Sequence, residues 1–197
     1  MNGAEFWSLG VSAVFVQNLV LVYLLWDGRF YRALKDFSAC VVFGLLAVGG
    51  ATLGSMLAWV LQRFVLRPLG FSWLSPFAFL LGLAVLELAA QLLLPRLLPE
   101  SGGALTRLLP AAFFGCAVPG LVLLNMSAAM KGFWGTAFYG FCAGLGYLFA
   151  LLALSKALRR AQYSTPPVSF QGLPIALITA GLLSLGMMGF SGVAIPY

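Results

Sequence analysis

The sequence predicts an all-α integral membrane protein, six transmembrane helices arranged as an inverted 3+3 repeat. Composition, the length of the apolar runs and the placement of charge each point that way. Of the 197 residues, 62% are hydrophobic and 8% charged, and there is no histidine. Uninterrupted apolar stretches of about 20 residues recur along the chain, the length that crosses a bilayer's hydrocarbon core. Eleven Lys and Arg stand against five Asp and Glu, and nearly all of these charges fall between the apolar stretches.

Six spans follow, at 6–26, 38–61, 73–94, 108–130, 134–155 and 173–193. Each is expected to be helical, because lipid offers no partner to an unpaired backbone group. The first has neither a basic leader nor a small-residue cleavage site and reads as a retained span. Together the spans use up residues 1–197 as one membrane domain, with repeat halves at about 1–98 and 99–197 and no room for a soluble catalytic domain. Trp26, Trp73 and Trp134 fall at span ends, where indoles favour the interface.

Loops 27–37, 95–107 and 156–172 hold Arg29, Arg32, Lys35, Arg96, Arg107, Lys156, Arg159 and Arg160; the other side holds Arg63, Arg67 and Lys131. Eight cations against three place the first set in the cytoplasm and both termini outside. The positive charge sits at span ends and forms no stripe, which argues against nucleic acid as a partner; the bilayer is the partner instead.

The two halves echo each other. Gly50 and Gly54 in the second span correspond to Gly140 and Gly144 in the fifth, and such small-xxx-small pairs let helix backbones approach closely. Gln17 and Asn18 in the first span find a counterpart in Asn125 of the fourth. Three spans per half is an odd number, so the halves enter the membrane in opposite senses, and repeats of this kind place their working site near the midplane. The fourth span carries Pro110, Gly115, Cys116, Pro119 and Gly120, and the first ends in Trp26-Asp27-Gly28-Arg29-Phe30. Both are therefore expected to be broken or re-entrant.

Glu87 is the ionisable residue that falls inside a span. Charge there costs about 2.5–3.5 kcal/mol on insertion scales, so Glu87 is either a cation or proton site, or an acid that lies near a span end or is protonated and bonded to a neighbouring helix. Gln91, four residues on, shares its helix face. Asn18 and Asn125 offer interhelical hydrogen bonds or shape the same path. Cys40 and Cys142 read as small packing residues at spacings that make no disulfide framework. No phosphate loop, dinucleotide fingerprint or zinc spacing is present, so nucleotide chemistry belongs to other chains.

Five motifs carry a resemblance: QNLVLV (17–22), GCAV (115–118), LN (124–125), AFYGF (137–141) and the closing GLPIALITAGLLSLGMMGFSG (172–192). In order and at matching spacing they resemble the Rnf/Nqr family of membrane subunits, the A subunits of Rnf complexes and the E subunits of sodium-pumping NADH:quinone reductases. The resemblance covers essentially the whole chain. It implies a non-autonomous subunit of a translocase that couples electron transfer, from ferredoxin or NADH, to sodium or proton movement. It also implies a homologous partner of inverted orientation, other subunits of the complex, and a [2Fe–2S] cluster shared across that pair. Each member of such a pair gives a cysteine from its first span and one from its fourth.

Cys116 stands at the fourth-span position. The first-span position, Cys-Pro-Phe in the family, reads Gly28-Arg29-Phe30, so one of two expected thiolates is absent. The alternatives are a cluster-free structural or ion-path paralogue, which the missing thiol favours, and a small inverted-repeat transporter. The glycine faces are expected to meet the inverted partner. A phosphatase reporter fused after Tyr197 is expected to be active, and one fused in loop 95–107 inactive; the reverse pattern would invert the topology.

Overall fold

The structure is a computed structural model and describes residues 10, 14, 37–70, 72–97, 109–110, 112–113, 118–120, 122–123, 132–162, 167 and 172–189. Among them every regular element is helical, and no strand occurs. The principal helices are α1 (Phe37–Leu61), α2 (Ser75–Leu97), α3 (Gly132–Gln162) and α4 (Leu173–Met188). Three stretches are long and apolar enough to cross a membrane: Phe37–Leu66, Ser75–Leu93 and Gly132–Arg160; Pro174–Met188 is apolar but shorter. The expected spans at 6–26 and 108–130 lie mostly outside the described residues.

Helix ends depart from the sequence expectation for local reasons. α1 does not stop at Leu61; it widens into a π-helical turn, Gln62–Leu66, and closes with Arg67–Leu69. Gly70 ends it at φ 71°, a left-handed conformation that suits a residue without Cβ. A 3₁₀ turn, Ser72–Leu74, leads into α2, so Trp73 sits just before that helix rather than in it. α2 runs through Pro95 and ends two residues later, at Leu97. α3 continues to Gln162, so Lys156, Arg159 and Arg160 ride on helix where a loop was expected.

The α1–α3 pair is the centre of the packing. Trp59 meets Phe133, Ala51 and Ser55 meet Gly140, Val48 meets Gly144, Gly44 meets Leu148, and Lys156 lies over the ring of Phe37. Numbers rise on one helix as they fall on the other, so the two run antiparallel along their whole length. Small residues make this possible. A methyl on Gly140 would come 2.6 Å from Ser55 Oγ and 3.0 Å from the Ala51 carbonyl oxygen; on Gly144 it would come 2.9 Å from Val48 Cα. Lipid tails are as apolar as leucine, so close van der Waals contact, rather than exclusion of water, holds such helices together.

Neighbouring segments complete the core. Gly54 faces Leu83 of α2 and Val122, while Gly50 lies under the ring of Phe113. Leu109, Phe113, Val118 and Val122 are all deeply buried, which puts the described part of the fourth span at the heart of the molecule. Gly10 packs beside Cys142, and the Val14 carbonyl oxygen lies 2.8 Å from where Gly146 would carry a methyl. α2 is more peripheral, burying Phe79, Leu83 and Glu87 on one face and exposing Phe77, Leu81, Val85 and Leu92 on the other. Ala176, Ala180 and Met187 bring α4 into the same core.

One expectation is corrected here. Gly50, Gly54, Gly140 and Gly144 are buried against other parts of this same chain. Their faces are used within the chain itself and are not open to an inverted partner. Gly144→Ala is expected to destabilise the purified protein by about 1–3 kcal/mol, since the added methyl meets backbone. That loss exceeds the gain of up to ~1 kcal/mol in helix propensity. Gly181→Ala, where nothing lies within 4 Å, is expected to be neutral or stabilising. Thermal unfolding in detergent checks the pair, and equal behaviour of the two variants would refute the close-approach account.

Candidate functional site

α2 brings one acid into the protein interior. Glu87 lies twelve residues from Ser75 and ten from Leu97, well inside the helix. It is only 6% exposed. Residues 79, 83, 87 and 91 recur every four positions, which sets them on one face of the helix. A phenylalanine and a leucine fill that face up to Glu87, where the pattern turns polar. Gln91 Nε2 donates a hydrogen bond to Glu87 Oε1 at 2.8 Å, so the two residues paired from sequence do meet.

The register of α2 against α1 sets the depth of the pair. Leu83 contacts Gly54, and Gly82 faces Leu57, so α2 runs antiparallel to α1. One turn beyond Leu83, Glu87 comes level with Gly50, the residue under Phe113. The acid is therefore level with the middle of the α1–α3 crossing, at the height where the fourth span enters the core.

The hydroxyls of the bundle divide into two kinds. Thr52 donates to the Val48 carbonyl at 2.7 Å, Thr136 to Gly132 at 3.0 Å, and Thr179 to Ile175 at 2.7 Å, each within its own helix. Ser55 Oγ is fully buried at the α1–α3 contact and makes no hydrogen bond among the described residues. Sequence reasoning missed Ser55, although Ala51 and Ser55 form a small-xxx-small pair one step from the glycine pair on α1.

The thiols are placed by packing. Cys40 Sγ donates to the Leu151 carbonyl at 3.7 Å and also makes a side-chain hydrogen bond with Ser155. Cys142 is buried beside Gly10 and Phe138. Among the described residues no three His, Cys, Asp or Glu side chains gather in a metal-binding group around either thiol or elsewhere. Cys116, Gly28, Asn18 and Asn125 lie outside the described residues.

The acid–amide pair thus lies buried on a lipid-length helix, inside a bundle held by glycine contacts, and comparison with known proteins decides the family. The sequence profile described as "Rnf-Nqr subunit, membrane protein" matches residues 6–194. The chain belongs to the Rnf-Nqr family. It is 36% identical to the A subunit of the ion-translocating oxidoreductase complex of Pectobacterium atrosepticum over 188 residues, 95% of this chain and 97% of that one. The corresponding protein of Pseudomonas aeruginosa is 36% identical over 186 residues, 94% and 96% of the two chains. That of Yersinia enterocolitica matches at 36% over 188 residues. The Rnf-Nqr chain is thus similar throughout to subunits of a multi-subunit complex, in keeping with a role that is not autonomous.

Proposed function

We propose that this Rnf-Nqr chain is a membrane subunit of an ion-translocating oxidoreductase complex that carries part of the ion path, with Glu87 and Gln91 as its cation- or proton-binding pair. The burial of Glu87 within an apolar helix carries this reading. An acid kept at that depth costs about 2.5–3.5 kcal/mol on insertion scales, a cost that packing alone does not explain. The Gln91 amide donates to one carboxylate oxygen and so holds the acid in place. That bond leaves the amide oxygen beside the carboxylate, and oxygen ligands of this kind suit a small hard cation. Either sodium or a proton satisfies this chemistry.

Around that pair we propose six spans as an inverted 3+3 repeat, with both termini outside and the segments 27–37, 95–107 and 156–172, which include the last turns of α2 and α3, cytoplasmic. The antiparallel pairing of α1 with α3, the second spans of the two halves, supports it. So does the order in which Phe113 and Val122 follow Gly50 and Gly54. Asn18 and Asn125 are assigned to the lining of the same path, and a homologous chain of opposite orientation to the neighbouring position in the complex.

The shared [2Fe–2S] cluster fits this chain less well. Such clusters take thiolate ligands, usually four, and a homologous pair would divide them equally. Cys116 is one. Cys40 is bonded into the α1–α3 contact and Cys142 is packed against Gly10, so neither supplies the thiolate that Gly28 lacks. The residues present do not meet a two-thiolate contribution; Cys116 is the single thiol this chain has at a family ligand position, too few for its share of a cluster, and the ion path at Glu87 requires none.

Two experiments test these statements. In the reconstituted complex, Glu87→Gln is expected to lower ion transport at least tenfold, equivalent to about 1.4 kcal/mol, with assembly unchanged and Glu87→Asp retaining partial transport. Wild-type transport by Glu87→Gln would remove the acid from the path. The low-temperature EPR spectrum of the dithionite-reduced complex is expected to be the same with Cys116→Ala; loss of a [2Fe–2S] signal would instead make Cys116 a ligand.

A further inference from the structure

At the Gln62–Leu74 end of the bundle, two arginines stand four residues apart with no counter-charge among the described residues. Arg63 and Arg67 are both exposed. Arg63 rests over the indole of Trp59, 5.2 Å from the ring centroid, and neither arginine makes an ion pair among the described residues. Glu87 is the one acid among those residues, and it sits mid-helix on α2. Like charges four apart on a helix repel one another, and an anion between them relieves that repulsion.

The depth of the two arginines identifies that anion. Arg63 is 26 residues from Phe37, about 39 Å along the helix. At the Phe37 end, the ammonium of Lys156 lies 4.3 Å from the ring centroid, which marks that end as polar. With a hydrocarbon core of about 30 Å and 40–45 Å to the outer edge of the headgroups, Arg63 reaches the opposite headgroup layer. Phe64, Trp73 and Trp134 are exposed at this same end of the bundle. Trp134 is brought there by edge-on contacts from Trp59 to Phe133 (5.3 Å) and from Phe133 to Trp134 (5.7 Å). Aromatic rings of this kind collect at the lipid–water boundary.

We propose that Arg63 and Arg67 form a binding site for the phosphate of an anionic phospholipid headgroup, with its acyl chains lying along the exposed apolar face beside Phe64 and Trp73. A guanidinium gives a phosphate two parallel donors, and two of them around one phosphodiester relieve their mutual repulsion. The aromatic rings supply the apolar border that a free phosphate has no use for. The site requires that the chain reside in a bilayer and is independent of the role given to Glu87.

The test is native mass spectrometry of the detergent-purified complex titrated with phosphatidylglycerol and, separately, phosphatidylcholine. The wild type is expected to hold one phosphatidylglycerol roughly tenfold more tightly than phosphatidylcholine. The Arg63→Gln/Arg67→Gln variant should lose that lipid with all subunits retained, while Arg63→Lys/Arg67→Lys, which keeps both charges, should keep it. Unchanged phosphatidylglycerol binding by the glutamine variant would overturn the site. Displacement of the lipid by excess inorganic phosphate would also overturn it, by assigning the arginines to a free anion. So would loss of another chain of the complex with lipid retention intact, which would make this face a protein contact.

Discussion

The close approach of α1 and α3 is the constraint on which the other placements depend. Two helices of 25 and 31 residues run antiparallel in backbone contact because Gly140 and Gly144 present no side chain to Ser55, Ala51 and Val48. In lipid no exclusion of water drives helices together, so dispersion over a long, tight seam has to do so. Packing of this kind is intolerant of volume, because the atoms across the seam include main chain. Everything else is arranged about this pair: α2 against one side of α1, the buried residues of the fourth span between them, and Gly10 and Val14 against the outer face of α3.

Glu87 takes its meaning from that arrangement. On an isolated helix, an acid flanked by leucines would reach for the interface. Here the Gly54–Leu83 contact turns the 79–83–87–91 face of α2 toward the core, and the Gln91 amide fixes the carboxylate from one turn away. The acid ends level with Gly50 and the Phe113 ring, deep in the bundle.

The cysteines show how packing separates residues that composition treats alike. Cys40 and Cys142 both occupy the α1–α3 region, one bonded to a main-chain carbonyl and a serine, the other pressed against a glycine. Cys40 fills space where α1 meets α3, and Cys142 does so where Gly10 meets α3. Cys116 stands apart on sequence grounds, inside a motif shared with the family, so any thiolate chemistry of this chain rests on that residue.

The sequence by itself determined the solvent, the helical class, the family and the pairing of Glu87 with Gln91. Hydrophobic run length, charge placement and a four-residue spacing are local properties, and local properties are written directly in the chain. Helix ends were less legible, because the π turn after Leu61, the continuation of α3 past Ser155 and the passage of α2 through Pro95 each depend on a balance of single hydrogen bonds. Only the tertiary structure decided which glycine faces meet which helices, and it turned them inward, against this chain, where the sequence pointed to a partner. A GxxxG pattern states that a backbone can be approached, while the identity of the approaching surface depends on chain connectivity and on the register of α1 against α3. The same register, invisible in sequence, buried Ser55 at the crossing and carried Trp134 to the end of the bundle where Arg63 and Arg67 stand.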